Sequence, residues 1–227
     1  MGKHRSTGHW TTDLLVLLSP AWLVLILFSC GPAPDNAPVS RTVVGAVRFQ
    51  ERSNQLTAEV LVDPTDTTLV PPTFLGTALQ PTPNGPNNRF VGSRTLPLPA
   101  QLTLGLPNDH TLSFPPYLPD VASLPDTLRK TTDLYFRPLP TAPDSTQNLI
   151  VFFEPDDRRL PPRRILVDGP IADPDLRIPA TAFTDLVPAS YRVYLIGQQL
   201  LRDSLPGLRY SIQAEYFSDE KPVLVVD

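Results

Sequence analysis

Side chains that act as nucleophiles, general bases or metal ligands are scarce in this sequence. Its 227 residues include three histidines and one cysteine. A catalytic nucleophile needs a base beside it, and His110 is the one histidine beyond the first ten residues. Asp109 precedes it directly and would point to the opposite face of an extended chain. We therefore predict a loop histidine at position 110 and no catalytic residue.

Carboxylates cluster in three short segments, residues 63–66, 154–157 and 173–175. Glycoside hydrolysis needs two carboxylates across a cleft, and calcium binds oxygen-rich loops of this kind. Aspartate is more common at such positions because its side chain accepts hydrogen bonds from the local backbone. Beyond the first ten residues one histidine and one cysteine remain, and they cannot complete a tetrahedral zinc site. We predict turn-forming aspartates, no metal and no cofactor.

Four tripeptides place Asp before Ser or Thr and then a small or aliphatic residue. They are similar to the O-glycosylation acceptors of some Gram-negative bacteria, and the resemblance would make the acceptors Thr67, Thr127, Ser145 and Ser204. Turn chemistry, in which these side chains bind the local backbone, is the favoured interpretation.

The composition excludes some classes of partner. A formal charge of −4 argues against nucleic-acid binding, because neutralising phosphates needs clustered Lys and Arg. Hydrophobic residues make up 41% of the chain, which is sufficient for a core. Charged residues make up 19%, which is too little charge for generic disorder. The 29 prolines keep strands short and protect sheet edges.

The N-terminal residues have a pattern that is typical of an export signal. Lys3 and Arg5 precede an apolar run over residues 14–28, which is shorter than the roughly 20 residues of a membrane span. The run ends at Leu27-Phe28-Ser29-Cys30, which resembles the lipobox of Gram-negative bacterial lipoproteins. That resemblance implies a signal peptide at 1–29 and a lipid, such as palmitate, on Cys30. The alternative is an uncleaved signal anchor.

Period-two alternation dominates the rest of the chain and predicts an all-β fold. Residues 43–49 and 56–62 are expected to form a hairpin, and residues 208–217 the most regular strand. A strand is expected at residues 148–154, and its residues 149–153 are all apolar, which predicts burial on both faces.

The expected organisation is a tether, two immunoglobulin-like β-sandwich units in tandem, and a linker between them. The Pro-rich tether covers 30–41, the first unit 42–115, the linker 116–128 and the second unit 129–227. One larger β-sandwich is the alternative.

Residues 186–193 resemble the tyrosine corner of immunoglobulin-like and fibronectin type III domains. In that motif a Leu and a Pro turn the chain between sheets, and a Tyr binds back to the upstream backbone. The resemblance assigns these roles to Leu186, Pro188 and Tyr191.

Together these features predict a lipid-anchored protein of the bacterial envelope, at the outer membrane, that acts by binding or scaffolding. Its expected partners are membrane lipid, through Cys30, and an envelope protein or glycan. A carbohydrate-binding module is the alternative, because six tyrosines lie beyond the signal and Tyr194 faces opposite to Tyr191.

Overall fold

The computed structural model describes residues 41–63, 70–83, 86, 88–138 and 142–227. This part of the chain contains strands, two short 3-10 helices (Glu51–Ser53 and Ala180–Phe183) and no α-helix, so the all-β sandwich prediction is confirmed. The strands are β1 (Arg41–Gln50), β2 (Gln55–Val62), β3 (Thr73–Phe74), β4 (Thr77–Ala78), β5 (Gln80–Pro81), β6 (Arg89–Thr95), β7 (Leu102–Gly105), β8 (Thr111–Phe114), β9 (Thr127–Arg129), β10 (Leu134–Phe136), β11 (Gln147–Pro155), β12 (Arg163–Asp168), β13 (Leu176–Ile178), β14 (Ala189–Leu205), β15 (Leu208–Phe217) and β16 (Lys221–Val226).

One ten-stranded sheet dominates the fold. Its main path runs β12-β11-β14-β15-β1-β2-β6-β5, and β16 and β9 branch from β14. Most pairs are antiparallel, but β1 pairs with β15, and β9 with β16, in parallel. Two smaller sheets, β4-β3-β7-β8 and β10-β13, complete the described strands.

Two hydrophobic clusters lie between the large sheet and the smaller ones. The first joins β1, β2 and β15 to β3, β7 and β8, with Phe49, Phe74 and Ile212 among its buried residues. The second joins β11, β14 and β16 to β10 and β13, with Phe136 and Phe153 among its buried residues. The 17-residue strand β14 contributes side chains to both clusters.

The predicted linker, residues 116–128, contributes to both clusters as well. Tyr117 is buried in the first cluster, and Leu124 and Leu128 are buried in the second. The chain passes closely over β14 at Gly197, where an added Cβ would lie 2.1 Å from the Tyr117 carbonyl oxygen. The predicted division into two units and its bounds stay predictions.

Local strand predictions succeeded where one face is polar. β1 and β2 form the expected antiparallel hairpin, and β15 alternates as expected, with Ile212, Ala214 and Tyr216 buried. The prediction that residues 148–154 are buried on both faces is wrong. Leu149, Val151 and Phe153 lie in the core, but the alternate side chains are only half-buried on the outer face.

Within the described residues no helix is long and apolar enough to span a membrane. The predicted signal peptide, Cys30 and most of the predicted tether lie outside those residues.

Candidate functional site: a groove on the outer sheet face

Strand register places apolar side chains side by side on the outer face of the large sheet. Phe152 of β11 is opposite Tyr194 of β14. Their rings stack with centroids 4.9 Å apart and planes inclined by 23°. Because β-strand side chains alternate between faces, the residues next to each ring, such as Phe153, point into the core. The stacked pair is therefore a surface feature of an otherwise well-packed strand pair.

Tyr194 lies where β14 changes its neighbour. One edge of β14 pairs with β16 as far as Val193 and with β15 from Ile196 onward. Ser218, which is only 6% exposed, fills the gap. Its hydroxyl accepts a hydrogen bond from the Leu195 N–H at 2.9 Å, and its own N–H donates to the Leu195 carbonyl at 2.9 Å. Ser218 thus satisfies backbone groups that no strand pairs at this point.

Two adjoining concavities share Tyr194 and Glu154, and we call them together the Tyr194 groove. The larger has a volume of about 680 Å³ and the smaller about 330 Å³. The larger is lined by Phe152, Glu154, Pro155, Asp156, Arg158, Leu160, Pro162, Arg192 and Tyr194. The smaller is lined by Gln50, Glu51, Arg52, Glu154, Tyr194, Phe217, Ser218 and Glu220.

Arg192 organises the charges of the groove. Its guanidinium lies 3.2 Å from Glu154, 3.7 Å from Asp156 and 3.6 Å from Glu220. Glu220 also pairs with Arg52 at 3.0 Å. All these side chains are partly exposed, so each pair contributes little to stability. Their effect is to hold a network of donors and acceptors around the aromatic pair.

The surroundings of Tyr194 affect its hydroxyl. Partial burial raises the pKa of Tyr194, and the nearby charges of Glu154 and Glu220 raise it further, whereas Arg192 lowers it. The phenol therefore stays protonated and can donate a hydrogen bond at neutral pH.

The groove combines an aromatic surface with charged groups of both signs. Within the described part of the chain Arg158 has no ion-pair partner, so its guanidinium is available to a ligand. The stacked rings are half-buried, and both line the groove beside these charged groups. Among the described residues no group of three His, Cys, Asp or Glu could hold a metal ion. The arrangement is suited to binding a partly apolar, hydrogen-bonding ligand.

His110 lies in a tight loop on a different part of the molecule. Asn108 and Asp109 both have positive φ, and the His110 Nε2 lies 3.2 Å from the Pro206 carbonyl oxygen. That contact ties the loop to the turn between β14 and β15.

Two of the three predicted carboxylate segments contain an aspartate that forms a local turn. Asp157 accepts a hydrogen bond from the Arg159 N–H at 3.0 Å, and Asp173 accepts one from the Asp175 N–H at 2.9 Å. Glu154 and Asp156 differ, because both line the groove. The segment 63–66 extends beyond the described residues after Asp63.

Three of the four predicted O-glycosylation acceptors are exposed: Thr127, Ser145 and Ser204. The fourth, Thr67, lies outside the described residues. In one tripeptide the carboxylate forms a local turn, since Asp144 accepts a hydrogen bond from the Thr146 N–H at 2.7 Å. Glycosylation at these positions stays a prediction.

The residues assigned to the tyrosine corner are brought together. The Tyr191 hydroxyl donates to the Val187 carbonyl oxygen at 2.9 Å. Tyr191 and Leu186 are buried, and Pro188 is exposed in the turn between them. The Tyr191 ring also packs edge-to-face on Phe153 at 6.1 Å. Tyr191 is thus a packed core residue, and it lies on the face opposite to the groove.

Sequence reasoning singled out Tyr194 but missed its partner Phe152. The available signal was the alternation of side chains along a strand, because Phe152 and Tyr194 each lie between two core positions. Arg192 and Ser218 gave no sequence signal, because long-range register brings their partners together. The sequence matches no known family profile and no curated protein.

Proposed function

We propose that this chain is an exported, lipid-anchored protein of the bacterial envelope that binds a partner through the Tyr194 groove. The observation that carries the binding role is the half-buried Phe152–Tyr194 pair in the groove, beside Arg192 and its three carboxylates. Aromatic side chains with a polar end and arginines are enriched where proteins bind partners. The basic start, the apolar run and Cys30 support the anchor.

A lipid on Cys30 fits a binding role for the folded part. The segment from Gly31 to Pro38 has three prolines in eight residues, which favours an extended tether. Such a tether would hold the sandwich away from the membrane surface and leave the groove accessible to an envelope partner.

Binding at the groove can be tested by site-specific crosslinking. A photoreactive phenylalanine analogue would replace Tyr194 in the full chain in living cells, with the same replacement at Tyr135 as the matched control. Tyr135 is a strand tyrosine that is more exposed than Tyr194, and it lies on the small β10–β13 sheet. We expect light-dependent adducts at 194 and not at 135. Equal labelling at both positions, or none at 194, would contradict binding at the groove.

A carbohydrate-binding module on the same anchor is the second candidate. The stacked aromatic pair favours it, since aromatic rings that line a groove beside carboxylates and guanidinium groups suit stacking on a sugar and hydrogen bonds to it. A glycan array probed with the wild-type protein and with Tyr194→Ala distinguishes this candidate. Glycan signals that Tyr194→Ala removes and Tyr135→Ala retains would support it, whereas no glycan signal would eliminate it.

A further inference from the structure

β12 lies at one end of the ten-stranded sheet. Among the described strands it pairs only with β11, and each of its six side chains is exposed or half-buried. Leu166 is 54% exposed. An unpaired edge strand presents free backbone donors and acceptors that can pair with another chain. The opposite end of the sheet differs, because β5 has only two residues and one of them is Pro81.

The backbone groups on the free edge can be identified from the register. Gly169, just beyond β12, donates its N–H to the Gln147 carbonyl oxygen at 3.2 Å. In an antiparallel pair, hydrogen-bonded and non-bonded positions alternate. The odd-numbered residues of β12 therefore direct their backbone groups to β11. The even-numbered residues, Arg164, Leu166 and Asp168, direct theirs to the free edge.

These same three residues carry complementary side chains on the outer face. Arg164 and Asp168 flank Leu166, and within the described part of the chain neither has an ion-pair partner. Arg163, by contrast, already pairs with Asp185 at 3.2 Å. The free edge thus presents an unpaired cation, an exposed leucine and an unpaired anion in that order.

We propose that a second copy of this chain pairs with that edge, β12 against β12 in antiparallel orientation, with Leu166 opposite Leu166 of the second copy. Arg164 then faces Asp168 of the second copy, and the two-fold symmetry repeats the pair. On the inner face Ile165 faces Val167 of the second copy, so two half-buried apolar pairs become covered.

Other registers are less favourable. A one-residue slip would place inner side chains opposite outer ones. A two-residue slip would place Arg164 opposite Leu166 of the second copy and lose both ion pairs. The prolines at 161, 162 and 170 lack N–H groups and confine the pairing to this strand. The β12 edge is therefore complementary to itself, and the pairing forms a closed dimer.

The pairing also extends a row of apolar side chains. Leu166 is opposite Ile150, Ile150 is opposite Ile196, and Ile196 is opposite Phe217. Leu166 is the exposed end of this row. In the paired form the row continues across the two-fold axis, which removes the most exposed leucine of the outer face from water.

Cysteine crosslinking of the full chain in its membranes tests the register. The Cα atoms at position 166 would lie about 5.5 Å apart, within the span of a disulfide of roughly 4–7 Å. The two copies of position 164 would lie about 14 Å apart, since four residues separate them along the strand. We expect covalent dimers of Leu166→Cys under mild oxidation. Arg164→Cys and the wild type, whose only cysteine is Cys30, should stay monomeric.

Charge exchange tests the ion pairs independently. Sedimentation of the detergent-extracted full chain should show a dimer that Arg164→Asp or Asp168→Arg weakens by about tenfold, because each places like charges opposite each other twice. The double exchange should restore the wild-type affinity. A monomeric wild type, dimers that form equally at 164 and 166, or a double exchange no better than the single variants would each overturn the proposal. All substituted side chains are exposed, so none should prevent folding.

Discussion

Removing the Tyr191 hydroxyl should lower the free energy of unfolding by about 1 kcal/mol. The Tyr191→Phe substitution keeps the ring, which is 2% exposed, and removes only the hydrogen bond to Val187. Leaving a buried carbonyl unpaired can cost up to about 3 kcal/mol. The Val187 side chain is 46% exposed, so water can reach this region and the lower value is expected.

Tyr191→Ala also removes the packing of the ring. That ring is fully buried in the second cluster and contacts Phe153 edge-to-face. Large-to-small substitutions at such sites cost roughly 3–5 kcal/mol. The loss is a large part of the 5–15 kcal/mol that typically stabilises a domain. Tyr194→Ala should cost only about 1–2 kcal/mol, because its ring is half-buried and loses mainly the stack on Phe152.

Denaturant titrations of Tyr191→Phe, Tyr191→Ala and Tyr194→Ala, analysed with a common slope, provide the comparison. Similar, small losses for alanine at 191 and at 194 would refute the corner as a stabilising element. A Tyr191→Phe variant as stable as the wild type would show that the bond to Val187 contributes nothing.

Three further outcomes follow from other parts of the molecule. Ser218→Ala should cost about 1–3 kcal/mol in a denaturant titration, because it leaves the buried Leu195 N–H without an acceptor. The Ala180 N–H and then Arg177 lower the pKa of Asp133, so its contribution to stability is present above the unfolded value of about 3.9 and is lost as pH falls through the lower folded value. Asp133→Asn should therefore lose less stability than the wild type when urea midpoints at neutral and acidic pH are compared. Cys30→Ala should release the protein from membranes or leave it uncleaved, as fractionation and N-terminal sequencing would show.

For each of these three predictions, one outcome would contradict it. Ser145→Ala is the control for Ser218, since it removes an exposed hydroxyl, and equal losses at both positions would remove the role given to the Ser218 hydroxyl. If Asp133→Asn loses as much stability as the wild type between neutral and acidic pH, other carboxylates cause that loss. A Cys30→Ala protein that has lost its first 29 residues and resists carbonate washing would contradict lipid anchoring.

Local patterns in the sequence predicted those parts of the fold in which one strand face is polar. Alternation identified the β1–β2 hairpin and the inward set of β15, because burial on one face imposes a period of two. The parallel pairing of β1 with β15 was not foreseen. Its partners are 167 residues apart, and no local composition encodes such a contact.

The candidate site was predictable only in part. The opposite facing of Tyr194 and Tyr191 is a local property, and it indicated Tyr194 correctly as an outward residue. Phe152 was assigned to the core because consecutive apolar residues usually indicate burial on both faces. Here the outer apolar side chains of β11 lie beside apolar side chains of the neighbouring strands on the same face. The sequence of β11 alone does not distinguish this arrangement from a face that is covered by a second layer.

This sideways packing leaves two apolar features on the same face of the sheet. A row from Phe217 to Leu166 covers part of its apolar surface within the sheet, and Phe152 and Tyr194 do the same one row away. Each arrangement leaves one end uncovered, the aromatic pair at the groove and Leu166 at the β12 edge. The groove is surrounded by charged donors and acceptors of both signs, which suits a different molecule. The edge carries one cation and one anion spaced symmetrically about Leu166, and an identical strand complements that order.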